Sequence, residues 1–417
     1  MRDTNTIIRE LLRVESARLV ARIARIVRDV GLAEEITQDA FVAALEHWPN
    51  TGIPGQPGAW LMAAAQRRAI DALRRKQTAT RRQHELSVQL DGQGNDVTDL
   101  DTALDDDIGD ELLSLLFASC HPVLSTEARV TLTLRLFGGL TTDEIARAFL
   151  TSEQTIAQRI VRAKRTLAES RVEIAVPRGD ELGERLPSVL EVVYLIFNEG
   201  YAATRGADLL RPDLCVEALR LGQQLARLAP QAAETHALLA LMELQASRTA
   251  ARFADGGEPI PLLEQDRSLW DQRLIDEGTA ALARAAELAE RAGPYQLQAE
   301  IAACHSTQED TNWAQIAALY GQLAKLQPSP VVEVNRAVAV SMASGPSAGL
   351  AVIDRVRSEP ALRSYALLPA VRGDLLFKLC RFDEAAEEFE QAARLTHNQR
   401  ERDGWLARAD FCREPKS

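Results

Sequence analysis

Along this chain apolar residues recur at three- and four-residue intervals, the spacing of one face of an α-helix. Ile8, Leu12, Leu19, Ile23 and Ile26–Val27 predict a helix over Ile7–Val30, ended by Gly31. Ile36, Ala40, Phe41, Ala44 and Leu45 predict a second over Ala33–Trp48, with Glu34, Glu35, Gln38, Asp39 and Val42 on its other faces. Pro49–Gly58 holds three prolines and three glycines and predicts a loop. A third helix, Ala59–Lys76, sets Arg67, Asp71 and Arg74–Arg75 at i, i+4 and i+7/i+8 along one ridge. Further helices are predicted over Asp110–Ala118 and Ser125–Phe137, the second ended by Gly138-Gly139.

The next stretch has a clear punctuation. Thr141-x-x-Glu144 is a capping-box pattern that starts a short helix. Leu150–Ser152 reads as a turn, with Thr151 or Ser152 capping the helix that follows. That helix buries Ile156, Ile160, Ala163 and Leu167, and shows Gln154, Gln158, Arg162 and Arg165 on its opposite face. This is a helix-turn-helix whose second helix carries amide and guanidinium groups, the side chains that read base edges and grip phosphates in a major groove.

Composition narrows the class. Ala, Leu, Glu and Arg dominate, all good helix formers, so the fold class expected is all-α. Gly and Pro, 23 and 17 of 417 residues, are too few for a collagen-like or broadly disordered chain. No apolar run approaches the 18 residues of a membrane span, and Met1–Thr4 opens no apolar signal core, so the expected location is the cytoplasm. The five cysteines form no CxxC pair; Cys120-His121 and Cys304-His305 are adjacent residues and make poor chelates, so no metal or cofactor is expected.

Net charge, −12, conceals segregation. Arg67–Arg82 holds seven basic residues and one acid, Arg159–Arg171 five and one, whereas Asp91–Glu111 holds nine acids and no base. Two basic islands joined by an acidic tether suggest two nucleic-acid-binding modules; solvated helix faces are the plainer alternative.

Three pieces in order carry a resemblance. Ala33-Glu-Glu-Ile-Thr-Gln-Asp-Ala-Phe41, Pro57-Gly-Ala-Trp-Leu61 and Ala69-Ile-Asp-Ala-Leu-Arg-Arg75 resemble region 2 of bacterial sigma factors, the extracytoplasmic-function (ECF) group best. Glu144-Ile-Ala146, Ser152-Glu-Gln-Thr-Ile156 and Arg162-Ala-Lys-Arg165 resemble region 4, with Gln154 where many relatives have Gly. The resemblance implies a region 2 domain over residues 1–82, an acidic linker over 83–109, a region 4 domain over 110–172, and a non-enzymatic partner of core RNA polymerase and promoter DNA. It implies polymerase contact by Glu34, Glu35, Gln38, Asp39 and Phe41. It implies −10 contact by Trp60, Arg67, Arg68, Asp71, Arg74 and Arg75, with Trp60 open to stacking a base or to packing in the core. It implies −35 contact by Ser152, Gln154, Thr155, Gln158, Arg159, Arg162 and Arg165.

Residues 178–417 extend beyond that pattern. Pro230, Pro328 and Pro360 follow apolar helix ends, and Gly373, Ala385, Phe389 and Ala392 are spaced 12, 4 and 3, the small-small-aromatic-small intervals of a TPR unit. A TPR-like α-solenoid presenting a surface to a protein or peptide is expected; a plain helical bundle is the alternative. As a whole the chain resembles the ECF subgroup with such an extension, which implies neighbouring genes for small DGPF-domain proteins. Two further clusters stand out as pocket candidates: Tyr194, Asn198, Glu199 and Tyr201 at helical spacing, and the insertion Pro261–Asp271. No GxSxG, Walker, HExxH or Rossmann pattern accompanies them, so no enzyme is expected. A helix-turn-helix regulator with a ligand-sensing solenoid is the competing function.

Overall fold

The computed structural model describes residues 4–87, 108–148, 151–201, 212–252, 254, 260–306, 311–396 and 399–414, in which every regular element is helical. Most of the acidic linker, Leu150 of the expected turn, and much of the Asp255–Pro261 stretch lie outside the described residues, as do the side chains of Lys76, Arg81 and Arg82. The chain divides into two compact units, Met1–Ile196 and Phe197–Ser417.

In the first unit α1 (Thr4–Val27), α2 (Val30–Thr51) and α3 (Pro57–Ser87) pack together. The break between α1 and α2 comes three residues before Gly31, where it was expected. Arg28 adopts φ 54°, and Asp29 caps α2 by accepting from the Leu32 amide at 2.9 Å. An Asp cap competes well for the free amides of a helix start, whereas Gly31 needs no special conformation and lies inside the first turn. The α2 helix also runs on through Pro49 to Thr51 and ends at Gly52, φ 82°. Leu19, Ile23, Phe41, Trp48 and Leu61 fill this core; Leu12 and Leu45, expected in it, are exposed.

The second module follows. It comprises α4 (Ile108–Ser119), α5 (Thr126–Leu136), α6 (Thr142–Ala148) and α7 (Glu153–Glu169). The capping box forms: the Thr141 amide donates to the Glu144 carboxylate at 2.7 Å, and the Glu144 amide to the Thr141 hydroxyl at 3.2 Å. Ser152, not Thr151, caps α7. Ile156, Ile160, Ala163 and Leu167 are its buried stripe, as the spacing requires. Helix α8 (Asp180–Tyr201) enters this unit with its first part. Arg185 donates to the Phe117 carbonyl, Arg129 to Ser188 Oγ at 2.6 Å, and Ser188 to the Cys120 carbonyl at 3.0 Å. Cys120 itself is buried beside Thr133, and that burial pushes its thiol up to about 12.

The second unit contains α9 (Pro212–Leu228), α10 (Ala233–Ala246), α11 (Gln272–Leu288), α12 (Pro294–Ser306), α13 (Trp313–Leu326), α14 (Pro330–Ser344), α15 (Pro346–Val356), α16 (Leu367–Lys378), α17 (Phe382–Leu395) and α18 (Gln399–Arg413). Most pack chiefly on a neighbour in sequence, while α12 packs chiefly on α10, a solenoid-like arrangement. The α16–α17 pair packs as its spacing demands. Phe389, Ala385 and Ala392 are fully buried, and a Cβ on Gly373 would sit 2.9 Å from the Phe389 ring. Arg372 links three helices, bonding Asp354 at 2.9 Å and Glu388 at 2.6 Å. Glu234 on α10 caps α12 by accepting from the amides of Tyr295 and Gln296; the carboxylate occupies the space that a side chain on Gly293 would need.

One buried acid makes this unit sensitive to pH. Glu243 on α10 is 3% exposed, and its Oε2 has no hydrogen-bond partner among the described residues. Loss of hydration raises its carboxyl to about 7, with Glu277 adding repulsion. A raised carboxyl contributes full stability below its unfolded value near 4.5 and loses it as pH climbs through about 7. Glu243→Gln therefore leaves the melting of the second unit unchanged at pH 4.5. At pH 8 it stabilises that unit by about 1–2 kcal/mol, allowing for residual solvent screening. Paired thermal melts at the two pH values check this, and a gain of equal size at both would contradict it.

Candidate polymerase and promoter interfaces

On α2, Glu35, Gln38 and Asp39 are exposed together with Val42 and Leu45, which are 50% and 43% exposed. The spacing puts them on one side of the helix, an acidic and apolar face. Two residues expected beside them are elsewhere. Phe41 is buried in the core and can only support that face from beneath. Glu34 is buried too, because the second module covers it. Lys164 of α7 pairs with its carboxylate, Arg135 of α5 reaches it at 3.2 Å, and Gln38 at 3.1 Å. A comparable pair joins α4 to α1: Glu111, 3% exposed, is held by Arg22 and lies 3.6 Å from Arg25. Sequence alone supplied these charges but not their partners, since each pair spans the linker.

The α3 ridge is solvent-facing. Arg67, Asp71, Arg74 and Arg75 are exposed and form no ion pair with one another. Three arginines and one acid thus stand side by side on a solvated helix face, a net positive track. Arg68 is half-buried and bonds its own helix at the Ala64 carbonyl. Trp60 is half-buried at the start of the ridge, edge-on to Trp48 with ring centres 5.4 Å apart. It is thus anchored by packing while keeping part of its surface open.

On α7, Gln154, Thr155, Gln158, Arg162 and Arg165 are exposed on the face opposite the buried stripe. Ser152 holds the N-terminus, its hydroxyl 2.8 Å from that of Thr155. Arg159 is half-buried and reaches the Thr131 hydroxyl at 3.4 Å. Thr155, Gln158, Arg159 and Arg162 line one wall of an open groove of about 380 Å³ against Val123–Ser125 and Ala128. Arg165 leans on Glu169 at 2.8 Å. The recognition helix thus offers two long donors, Gln158 and Arg162, one turn apart and unobstructed.

Comparison with known proteins finds three family matches along the chain. Residues 12–79 match Sigma-70 region 2, residues 114–167 match Sigma-70, region 4, and residues 185–286 match a family of unknown function (DUF6596). An uncharacterised protein of Rhizobium meliloti is 41% identical over 90% of this chain and 89% of its own length. The ECF RNA polymerase sigma factor SigK of Mycobacterium ulcerans is 30% identical over 40% of this chain and 91% of its own; that of Mycobacterium tuberculosis is 31% identical over 36% and 78%. With Sigma-70 regions 2 and 4 matched in order, and SigK of Mycobacterium ulcerans 30% identical with 91% of its length covered, the chain belongs to the family of ECF RNA polymerase sigma factors.

Proposed function

We propose that this protein is an alternative sigma factor that recruits core RNA polymerase through α2, opens the −10 element along α3, reads the −35 element with α7, and carries an extension that supports its activity. The observation that carries the reading is the pairing of an uncompensated arginine ridge on α3 with an unobstructed polar face on α7. Melted DNA needs a positive track, and duplex DNA needs donors that reach the major groove.

Polymerase docking falls to Glu35, Gln38 and Asp39 around Val42 and Leu45. A charged rim about an apolar centre is the usual make-up of a protein interface. Glu35→Arg with Asp39→Arg reverses the rim and weakens core polymerase binding at least tenfold, measured by titration of labelled protein with core enzyme. Unchanged affinity in a folded variant rejects the docking face. If core binding is absent in the wild type while specific duplex binding persists, the protein is a helix-turn-helix regulator instead.

Promoter readout falls to Gln158 and Arg162. Losing one bidentate base contact costs roughly 1–3 kcal/mol and relaxes preference at one base pair. Arg162→Ala therefore flattens the −35 preference in a promoter-library transcription assay. A uniform loss across all sequences would assign Arg162 to phosphate only. The extension, with its chain of helices, is the part fitted to a protein or peptide partner.

A further inference from the structure

The extension contains a cluster of donors that neither DNA nor polymerase binding uses. It unites the two segments that stood out in the sequence, the Tyr194–Tyr201 turn and the insertion ending at Asp271. Arg248, just past α10, donates to the Tyr201 hydroxyl at 3.0 Å, and its guanidinium lies 5.8 Å from the centre of the Trp270 ring. Arg267 approaches the same indole at 5.7 Å. Arg252 covers the Tyr201 ring at 3.8 Å and donates to its carbonyl. His305, at the end of α12, is half-buried edge-on to Trp313, 5.4 Å away. Trp270 is 8% exposed, and its Nε1–H is buried with no hydrogen-bond partner among the described residues.

We propose that Arg248, Arg267 and the Trp270 Nε1–H bind a small oxyanion, the phosphate or carboxylate group of a soluble ligand. The donor inventory excludes other classes. Guanidinium and indole nitrogens can only donate, so a metal ion or an ammonium group finds no ligand there. An oxyanion seated beside the indole takes charge-assisted bonds from Arg248, and from Arg267 where it approaches the same ring. Arg248 forms no ion pair among the described residues that would do the same. A buried indole N–H left without an acceptor destabilises its site, and a seated oxygen relieves that cost. Its burial also favours a small ligand over a nucleic-acid backbone, which cannot enter so closed a position. The neighbouring imidazole reports the field: burial lowers His305 to about 4, and the charges of Arg248 and Arg267 press in the same direction. The site needs no part of the sigma reading to exist.

The test uses the full chain with inorganic phosphate and with citrate, each against chloride at equal ionic strength. The His305 imidazole is followed by NMR titration and stability by thermal melting. One of the two anions is expected to saturate, to raise the melting temperature, and to shift His305 upward by about one unit or more, a tenfold change in its acid dissociation. Whichever anion acts distinguishes a phosphorylated from a carboxylated ligand. Arg267→Gln and Arg248→Gln should each weaken the anion at least tenfold, read against each variant's own melt in chloride. The proposal falls if neither anion saturates beyond chloride, if both variants bind like wild type, or if duplex DNA displaces the bound anion competitively. In the first two cases the cluster is an internal stack that fastens the insertion.

Discussion

Lys164→Glu should open the first unit, seen as a longer distance between dyes on α3 and α7 and as a larger radius of gyration. The reason is geometric. The −35 and −10 elements are separated by about 25 base pairs, roughly 85 Å at 3.4 Å per step. A compact unit of the first unit's size has a radius of gyration of roughly 16 Å, so its two DNA faces cannot reach both elements at once. On the reading proposed above the packed form opens on a promoter, and the pairs that close it set how readily it does. Glu34 and Lys164 side chains are 10% and 21% exposed, and Arg135 shares the carboxylate. Reversing the lysine places like charges around a buried acid and removes about 1–3 kcal/mol from the closed form, a population shift of roughly 5- to 150-fold. The readout is distance rather than DNA affinity, because Lys164 adjoins Arg162 and Arg165 and a new acid there repels phosphate by itself. Adding Glu34→Lys restores the opposite charges at position 164 and should recover part of the short distance, Arg135 repelling the new lysine. An unchanged distance in Lys164→Glu would mean that apolar packing alone holds the modules together.

The features legible in the sequence were those set by local physics. The capping box at Thr141 and Glu144, the stripe Ile156–Leu167 and the packing of Gly373 against Phe389 each depend on spacing within one or two helices. The same holds for the exposed ridge on α3, where helical periodicity separates Arg67, Arg74 and Arg75 from the buried Leu61, Ala65 and Ala69. Long-range partners were not legible. Glu34 looked like one more exposed acid because the cations that bury it lie 101 and 130 residues further along, beyond the linker. Phe41 belongs to the apolar stripe by spacing and to the polymerase contact only by resemblance, and its ring goes to the core as the spacing requires. The α1–α2 break was placed at a glycine, while the Asp29 side chain supplied the stronger signal. Tyr201 and Trp270 attracted notice separately; only folding shows that Arg248 joins them.

The largest effect expected comes from shortening the chain. From sequence the second module ends at residue 172 and the extension starts at 178, so a chain stopping between them, at Val176, should stay folded and report on the extension alone. The bonds of α8 give a different expectation. Arg185 and Ser188 satisfy the carbonyls of Phe117 and Cys120, and Arg129 depends on Ser188. Leu186, Val189, Leu190 and Val193 of α8 are all buried. Removing the helix returns to water two carbonyls and one guanidinium from buried positions, along with whatever apolar surface α8 covered in this unit. Exchanging those hydrogen bonds for water costs about 1 kcal/mol each and uncovering an apolar side chain about 1.5–3 kcal/mol, so the loss is of order 5 kcal/mol. That is a large part of the stability of a typical domain. A chain ending at Val176 should therefore lose the cooperative melting of the second module and transcribe poorly for that reason alone. A chain ending at Tyr201 keeps α8 whole and should melt like the first unit of the full protein. Transcription by this longer truncation is then the measurement that speaks to the extension. Activity well below full length, with the second module intact, assigns the extension a supporting role; activity above full length makes it inhibitory. If the chain ending at Val176 melts as cooperatively as the one ending at Tyr201, α8 is not the brace of the second module.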